Sequence, residues 1–335
     1  MIFSPSPLIL HPAVLLMAGL LDSAIGDPAW LPHPVRIMGK AISWTERLLR
    51  KIFRTPVAGK LAGTFLVMLI VLPAFFITGY IAQVCASGTA PYLLTLAGTA
   101  LLVYLCATTL ACRELLRAAQ LVIGEVDKGD IAAARHSLSM IVGRDTASLS
   151  ESEILKATME TLAENLSDGI VAPLIYLTLG GLPLAMAYKA INTLDSMVGY
   201  KNEQYRHFGW ASARLDDAVN FIPARITGII IVVVSAAVLR SFTAARWSWR
   251  IMRRDGSKHT SPNSGIPEAA MAGALGIRMG GPSTYGGMRV EKPCIGEMRA
   301  DNHREAAAGA LRIVQAASLL ALAVSAAILY IRSAG

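Results

Sequence analysis

Three carboxylates, Glu160, Glu164 and Asp168, recur four residues apart in this 335-residue chain. On a helix that spacing lines them up on one face, and Glu153, seven residues before Glu160, extends the same stripe. Leu155, Met159, Leu162, Leu166 and Ile170 fall on a different face at helical spacing, the side expected to pack. Clustered carboxylates repel one another unless a cation sits among them. The stripe therefore suits a hard ion such as Mg²⁺, or supplies a general base. Twenty uncharged residues, Gly169 to Tyr188, follow directly, and acids at a membrane edge are expensive without a role. Glu160, Glu164 and Asp168 are accordingly read as catalytic candidates and as candidate Mg²⁺ ligands. Glu151 and Glu153 are read as acids favoured by a helix N-terminus, or as partners of Lys156.

Two further clusters carry polar chemistry. Asn192, Asp195, Lys201, Glu203, Arg206, Asp216 and Asp217 lie between apolar runs. Asn192 and Asp195 stand about one helical turn apart and would line one cavity, with Asp195 a second acid and Lys201 a point charge for phosphate. An ion-paired interfacial loop would account for the same charges without a ligand. The third cluster runs from Lys258 and His259 through Asn263 to Glu268, then through Gly273, Gly276, Gly280, Gly281, Tyr285, Gly286 and Gly287. Such glycines expose backbone N–H groups to phosphate, or, at Gly273 and Gly276 among alanines, permit close helix packing. Neither nucleotide-binding fingerprint is present, and the six histidines lack zinc-site spacing.

The elements that must position these groups are membrane helices. The chain is 54% hydrophobic and 16% charged, and no charge occurs between Lys60 and Arg113. Those 52 residues accommodate two spans of about 20 residues each with a turn between. The fold class expected is all-α: a polytopic integral membrane protein with about four to six membrane segments, one of them either spanning or re-entrant. A single membrane-embedded domain, 1–335, is expected, with cytoplasmic segments near 22–60, 113–168 and 240–305. The net charge of +8 acts as a topology signal, and no nucleic-acid partner is expected. No basic n-region or cleavage site precedes Asp22, so a cleaved signal peptide is not expected. The four cysteines show no C-x-x-C pair and are read as thiols, mostly buried.

Taken in order, residues 8–21 are a short apolar run and 37–54 a basic amphipathic helix, with Arg47, Arg50, Lys51 and Arg54 facing anionic headgroups. Leu61–Ala86 and Pro91–Cys112 form a hairpin of spans. Seven basic residues in 22–60, against none in the turn at Ser87–Thr89, place 22–60 and 113–168 in the cytoplasm. Two short helices flank Asp127–Asp130. Gly180-Gly181-Leu182-Pro183 breaks the run 169–191, which either spans or turns back. A short span over 226–239, extended back through Phe221, and a final span over 313–331 complete the set. If 169–191 and 221–239 both cross, Asp195 lies outside. If neither does, it stays on the cytoplasmic side. No internal repeat supports an inverted-repeat transporter. The long polar segments favour a membrane enzyme over a transporter.

Together these clusters resemble the adenosylcobinamide-phosphate synthase family, the CobD/CbiB proteins of cobalamin biosynthesis. The resemblance rests on Asp22, Gly26-Asp27-Pro28 and His33-Pro34-Val35-Arg36, then on Gly143-Arg144-Asp145-Thr146 and Glu160-Thr161-Leu162-Ala163-Glu164-Asn165 with Asp168-Gly169. It continues through Asn192–Glu203, Ala213–Asp217, Pro223-Ala224-Arg225, Ser261-Pro262-Asn263, Glu268–Gly276 and Gly280-Gly281-Pro282. Ser264 departs from the alanine expected there.

The resemblance implies ATP-dependent amide formation joining adenosylcobyric acid to (R)-1-amino-2-propanol phosphate, or to aminopropanol. ATP and Mg²⁺ serve without any permanently bound cofactor, and the corrinoid is a substrate. Glu160, Glu164, Asp168 and Asp195 are then the catalytic candidates. Arg144, Lys201 and Arg214 are phosphate contacts, and His259, Asn263 and Tyr285 meet the corrinoid or the amine. Asp145, Asn165, Asn192, Asp27, His33 and Arg36 complete the substrate-binding candidates. Implied partners are these substrates and membrane lipid in a multi-pass inner-membrane protein, with room for a homo-oligomer or contact with neighbouring cobalamin-pathway enzymes. The competing function is a corrinoid-binding transporter without chemistry.

Overall fold

The first three helices open on proline, whose fixed φ and missing N–H suit a first turn. In the computed structural model, which describes residues 9–28, 30–53, 55–86, 91–200 and 202–334, the elements run as follows. They are α1 (Pro12–Ile25), α2 (Pro34–Ile52), α3 (Pro56–Ala86), α4 (Tyr92–Ala107), α5 (Cys112–Asp127), α6 (Ile131–Ser139) and α7 (Glu151–Leu166). A π-helical turn (Ser167–Val171) leads into α8 (Ala172–Val198), followed by α9 (Trp210–Val219), α10 (Phe221–Val238), α11 (Phe242–Asp255) and α12 (Gly265–Leu275). Four short strands, β1 (Arg278–Gly280), β2 (Ser283–Tyr285), β3 (Met288–Val290) and β4 (Cys294–Gly296), precede α13 (His303–Ala334).

Among the described residues four helical runs are long and apolar enough to cross a membrane: Pro56–Cys85, Glu151–Val198, Phe221–Val238 and His303–Ala334. A fifth is added if α4 and α5 form one broken span. The protein is an all-α, multi-pass membrane protein, as its hydropathy pattern requires. The strands are a small addition that the glycine-rich stretch after Gly276 did not announce. All four cysteines are free, and of them only Cys106 is fully buried.

Backbone packing groups the chain into two units, one of residues 1–111, 172–219 and 322–335, the other of 112–171 and 220–321. The first unit has a core of Ile42, Leu66, Ala190, Leu194, Val198 and Phe208, contributed by α2, α3, α8 and the segment before α9. A Cβ on Gly63 would lie 1.8 Å from the Phe208 carbonyl oxygen, so only glycine lets α3 approach that segment. Arg50 departs from the lipid-facing role expected of it. Its guanidinium lies 4.7 Å and 4.4 Å from the Tyr205 and Phe208 ring centroids and donates to the Gln204 carbonyl at 3.1 Å. Exposed Ile37, Trp44 and Ile52 on α2 keep the amphipathic character. Arg54 lies outside the described residues.

Helix α8 breaks where the sequence predicts. Gly180 (φ −145°, ψ 26°) and Gly181 (φ 62°, ψ −158°) leave the helical region, and Pro183 follows. Broken backbone is tolerated at membrane depth only when it is buried or otherwise satisfied. Gly180, Gly181 and Pro183 are buried. Arg332, near the end of α13, donates to the Thr178 carbonyl and, at 3.4 Å, to that of Leu179.

In the second unit the residues predicted to form the packed face of α7 (Leu155, Met159, Leu162 and Leu166) are all buried. Ser150 and Glu153 form a reciprocal capping box, so Glu153 is a helix-start acid as read. Glu151 pairs with Arg304 at 2.7 Å, and Lys156 donates instead to the Gly280 carbonyl at 3.0 Å. At Gly273 the packing role prevails, because a Cβ there would lie 2.6 Å from the Trp247 carbonyl oxygen on α11.

Asp255, fully buried at the end of α11, ties that helix to β4. It accepts from Arg254 at 2.8 and 2.7 Å, from Lys258 at 2.6 Å and from the Gly296 N–H at 2.9 Å. The Arg254 hydrogen bonds, helped by Lys258 and Gly296, hold its carboxyl well below the usual carboxylate range. A depressed folded-state pKa stabilises above the unfolded value and loses that contribution as pH falls through the folded one. Asp255→Asn should therefore cost about 2 kcal/mol near neutral pH. In unfolding midpoints measured across pH, variant and parent should converge in strong acid.

Candidate active site

The glycine N–H groups of the third cluster do bind anions, and the anions are the chain's own carboxylates. Glu160 accepts from the Gly280 N–H at 2.7 Å. Asp145 accepts from Gly286 and Gly287 at 3.1 and 2.8 Å, and its own N–H donates to the Thr284 carbonyl at 2.8 Å. Arg144 completes the tie. It forms an ion pair with Glu160, both side chains being 12% exposed, and donates to the Ser283 hydroxyl at 3.1 Å. Two residues read as substrate contacts thus hold the β2–β3 hairpin and the acidic helix face in place.

Glu164, one turn beyond Glu160, differs from it. One of its oxygens accepts from the Ser264 hydroxyl at 2.9 Å. Around this carboxylate the second unit gathers further groups. Burial pulls the His259 imidazole below its ordinary pKa, against the opposing pull of Glu164, so the ring is neutral near pH 7. Its Nδ1 accepts from the Ser261 N–H at 3.0 Å, which leaves the proton on Nε2. Glu268 on α12 is 6% exposed. Burial, reinforced by the charges of Glu164 and Glu160, raises its pKa well above the usual range, so it keeps its proton and can donate. Lys292 donates to the Tyr285 hydroxyl and lies 4.9 Å from that ring's centroid, and its charge acts on both Glu268 and His259. Asn263 is buried and lies 3.4 Å from Arg225. Asn165 donates back to the Thr161 carbonyl at 3.1 Å. Asp168 is carried by the π-helical turn, a feature frequent at functional sites.

The first unit holds the remaining candidates. The Asn192 amide donates to Asp216 across 3.4 Å. Asp195 lies over the α-carbon of Gly199, where a Cβ would be 1.8 Å from its Oδ1, which explains a glycine in that run. Arg214 is exposed on α9, and Lys201 lies outside the described residues. Between α1 and α2, His33 Nε2 meets Asp27 Oδ1 at 3.0 Å. Arg36 donates to the Pro28 and Asp27 carbonyls at 2.8 and 3.3 Å, closing the same turn.

A family model described as CobD/Cbib protein matches residues 15–314. The chain belongs to the CobD/CbiB family. It is 49% identical over 308 residues to a protein of Geobacter metallireducens named cobalamin biosynthesis protein CobD, covering 92% of this chain and 93% of that one. It is 46% identical over 307 residues to a Klebsiella pneumoniae protein of the same name, covering 92% and 94%. It is also 43% identical over 308 residues to the Salmonella typhimurium cobalamin biosynthesis protein CbiB, again covering 92% and 94%. No solved structure matches the chain.

In this CobD/CbiB chain the acidic stripe does not make a protein-only metal cage. Among the described residues no three His, Cys, Asp or Glu side chains gather closely enough to hold a metal ion. Glu160 has both oxygens engaged, by Arg144 and Gly280. Glu164, with one oxygen on Ser264 among the described residues, is the carboxylate of the two that could still hold a cation. Sequence reasoning gave no role to Glu268 or Lys292. A lone acid inside the apolar run Ile266–Leu275 was the available signal for Glu268. Nothing local marked Lys292.

Proposed function

We propose that this chain forms an amide bond in cobalamin biosynthesis, the process for which its relatives are named. The reaction joins the f side-chain carboxylate of adenosylcobyric acid to (R)-1-amino-2-propanol phosphate, or to aminopropanol, at the expense of ATP. The observation that carries the proposal is the set around Glu164: a half-buried carboxylate beside neutral His259, proton-holding Glu268 and the cation Lys292. A carboxylate is a poor acyl donor, and phosphorylation gives it a leaving group. Mg²⁺ bound with the nucleotide would neutralise charge on the transferring phosphoryl group, and Glu164 is the residue to meet it. Lys292 suits phosphate oxygens, and Glu268 and the His259 Nε2–H supply donors.

ATP is a cytoplasmic substrate, which supports a site open to the cytoplasm in the cytoplasmic membrane. The test is mass spectrometry of purified protein given adenosylcobyric acid, Mg·ATP and each amine in turn. The expected result is an amide product with stoichiometric ATP consumption. Corrinoid accumulating inside vesicles, with neither product nor ATP consumption, would establish the transporter instead.

A further inference from the structure

Arg225 is the one charged residue of α10, a helix otherwise apolar and long enough to cross a membrane. An arginine near the end of such a helix ordinarily lays its stem along apolar surface and sends its guanidinium to lipid headgroups. This one is tied back to the protein. Its Nη1 donates to the Phe221 carbonyl, one turn earlier, at 2.6 Å and to the Asn263 Oδ1 at 3.4 Å. The guanidinium lies 3.4 Å from the Phe221 ring centroid, so the ring supports it from one face. Asn263 is buried, whereas Arg225 stays half-buried and within reach of a solute.

The charge has no internal counterpart. Among the described residues no carboxylate acts on Arg225, and Nη1 is the only one of its nitrogens with a partner. That leaves the edge formed by Nε and Nη2. A guanidinium presents its donors as a rigid fork that matches phosphate oxygens in pairs. Stacking on Phe221 fixes the plane of the fork.

The same contacts join Arg225 to the carboxylate at the centre of the site. Asn263 meets Arg225, and the next residue, Ser264, donates its hydroxyl to Glu164 at 2.9 Å. Ser261 holds both in place, its hydroxyl accepting from the Asn263 and Ser264 N–H groups at 3.3 Å each. Helix α10 also packs on α12 and on the π-helical turn that carries Asp168. All of these residues belong to the second unit. Arg225 and Glu164 stand at the two ends of one short edge.

Resting on the ligase reading above, we infer that Arg225 binds the phosphate of the amine substrate and selects the phosphorylated amine over free aminopropanol. Two carbons link the amine to the phosphate ester oxygen. A phosphate held on Nε and Nη2 therefore directs the amine along Asn263 and Ser264 toward Glu164. Free aminopropanol lacks that anchor. Arg225 takes no part in bond making, and its effect is on which amine is held.

Lipid headgroups and ATP also offer phosphate oxygens, and the experiment separates the three sources. Purified protein is given adenosylcobyric acid, Mg·ATP and each amine, with product followed by mass spectrometry. The parent should favour aminopropanol phosphate in kcat/KM, and Arg225→Gln should raise KM for that amine about a hundredfold. For free aminopropanol kcat/KM, and for ATP KM, should stay within about threefold of the parent. Arg225→Lys keeps the charge without the fork, so it should retain part of the preference, and it carries the test if Arg225→Gln fails to fold. Equal losses with both amines, or a rise in KM for ATP in place of the amine's, would overturn the assignment. Unchanged amine kinetics would overturn it too and leave the guanidinium to lipid headgroups. A parent that makes no amide from either amine refutes the ligase reading itself, so the two failures are distinct.

Discussion

Glu164→Gln should lower amide formation by about a hundredfold to a thousandfold while the protein still inserts and folds. The Ser264 hydroxyl donates to Glu164 at 2.9 Å, and a glutamine Oε1 accepts the same bond, so packing is retained and only charge is removed. That charge does two things at the site. It opposes the downward pull of burial on His259, and it helps keep the proton on Glu268. Without it the His259 pKa drops further and Glu268 releases its proton more readily, so both donors shift in addition to the loss of a cation ligand. Ser264→Ala provides the control, since it removes one hydrogen bond and leaves the carboxylate. Turnover should then stay within several-fold of the parent. Steady-state product formation by mass spectrometry, with membrane content measured by immunoblot, separates the cases. Full turnover in Glu164→Gln would remove Glu164 from the reaction.

Arg144→Ala should be the most destabilising of the charge removals, by about 3–5 kcal/mol, because it strands a partner that is itself largely buried. Both side chains of the Arg144–Glu160 pair are 12% exposed. The substitution leaves Glu160 with the Gly280 N–H and strips the Ser283 hydroxyl of its guanidinium donor. Adding Glu160→Gln should recover part of the loss, since a neutral amide tolerates the site better than an unpaired carboxylate. A double-mutant cycle on the detergent-solubilised protein measures that coupling. Strict additivity would show that the pair contributes nothing through contact. Arg144→Ala should also loosen the β2–β3 hairpin, which Asp145 then holds alone through Gly286 and Gly287, and protease sensitivity near Met288 would report it.

Much of the helical scaffold was legible because it depends on neighbours in sequence. The buried face of α7 follows from apolar spacing, and the gap between α5 and α6 from Gly129 (φ 81°) and the Asp130 cap on Ala133 at 2.9 Å. The break in α8 follows from two glycines and a proline in an apolar run. The strands were not legible, because three-residue segments between positive-φ glycines carry no periodicity. The internal partners of Arg144 and Asp145 were not legible either. Their partners, Glu160, Ser283, Gly286 and Gly287, include groups more than a hundred residues away in the chain.

The membrane class, a range of about four to six membrane segments, the acidic stripe and the family resemblance were legible in the sequence alone, since hydropathy, periodicity and motif order are properties of neighbouring residues. Tertiary structure alone decided how far each carboxylate is committed to internal partners. It set Glu160 against Arg144 and Gly280, left Glu164 with a single hydroxyl donor, and brought Glu268 and Lys292 to its side. It also turned His33 away from its helix and toward Asp27, where His11 turns toward its own. The physical reason is common to all of these. The worth of a charge or a lone pair depends on what lies within a few ångströms of it, and chain order does not encode that distance.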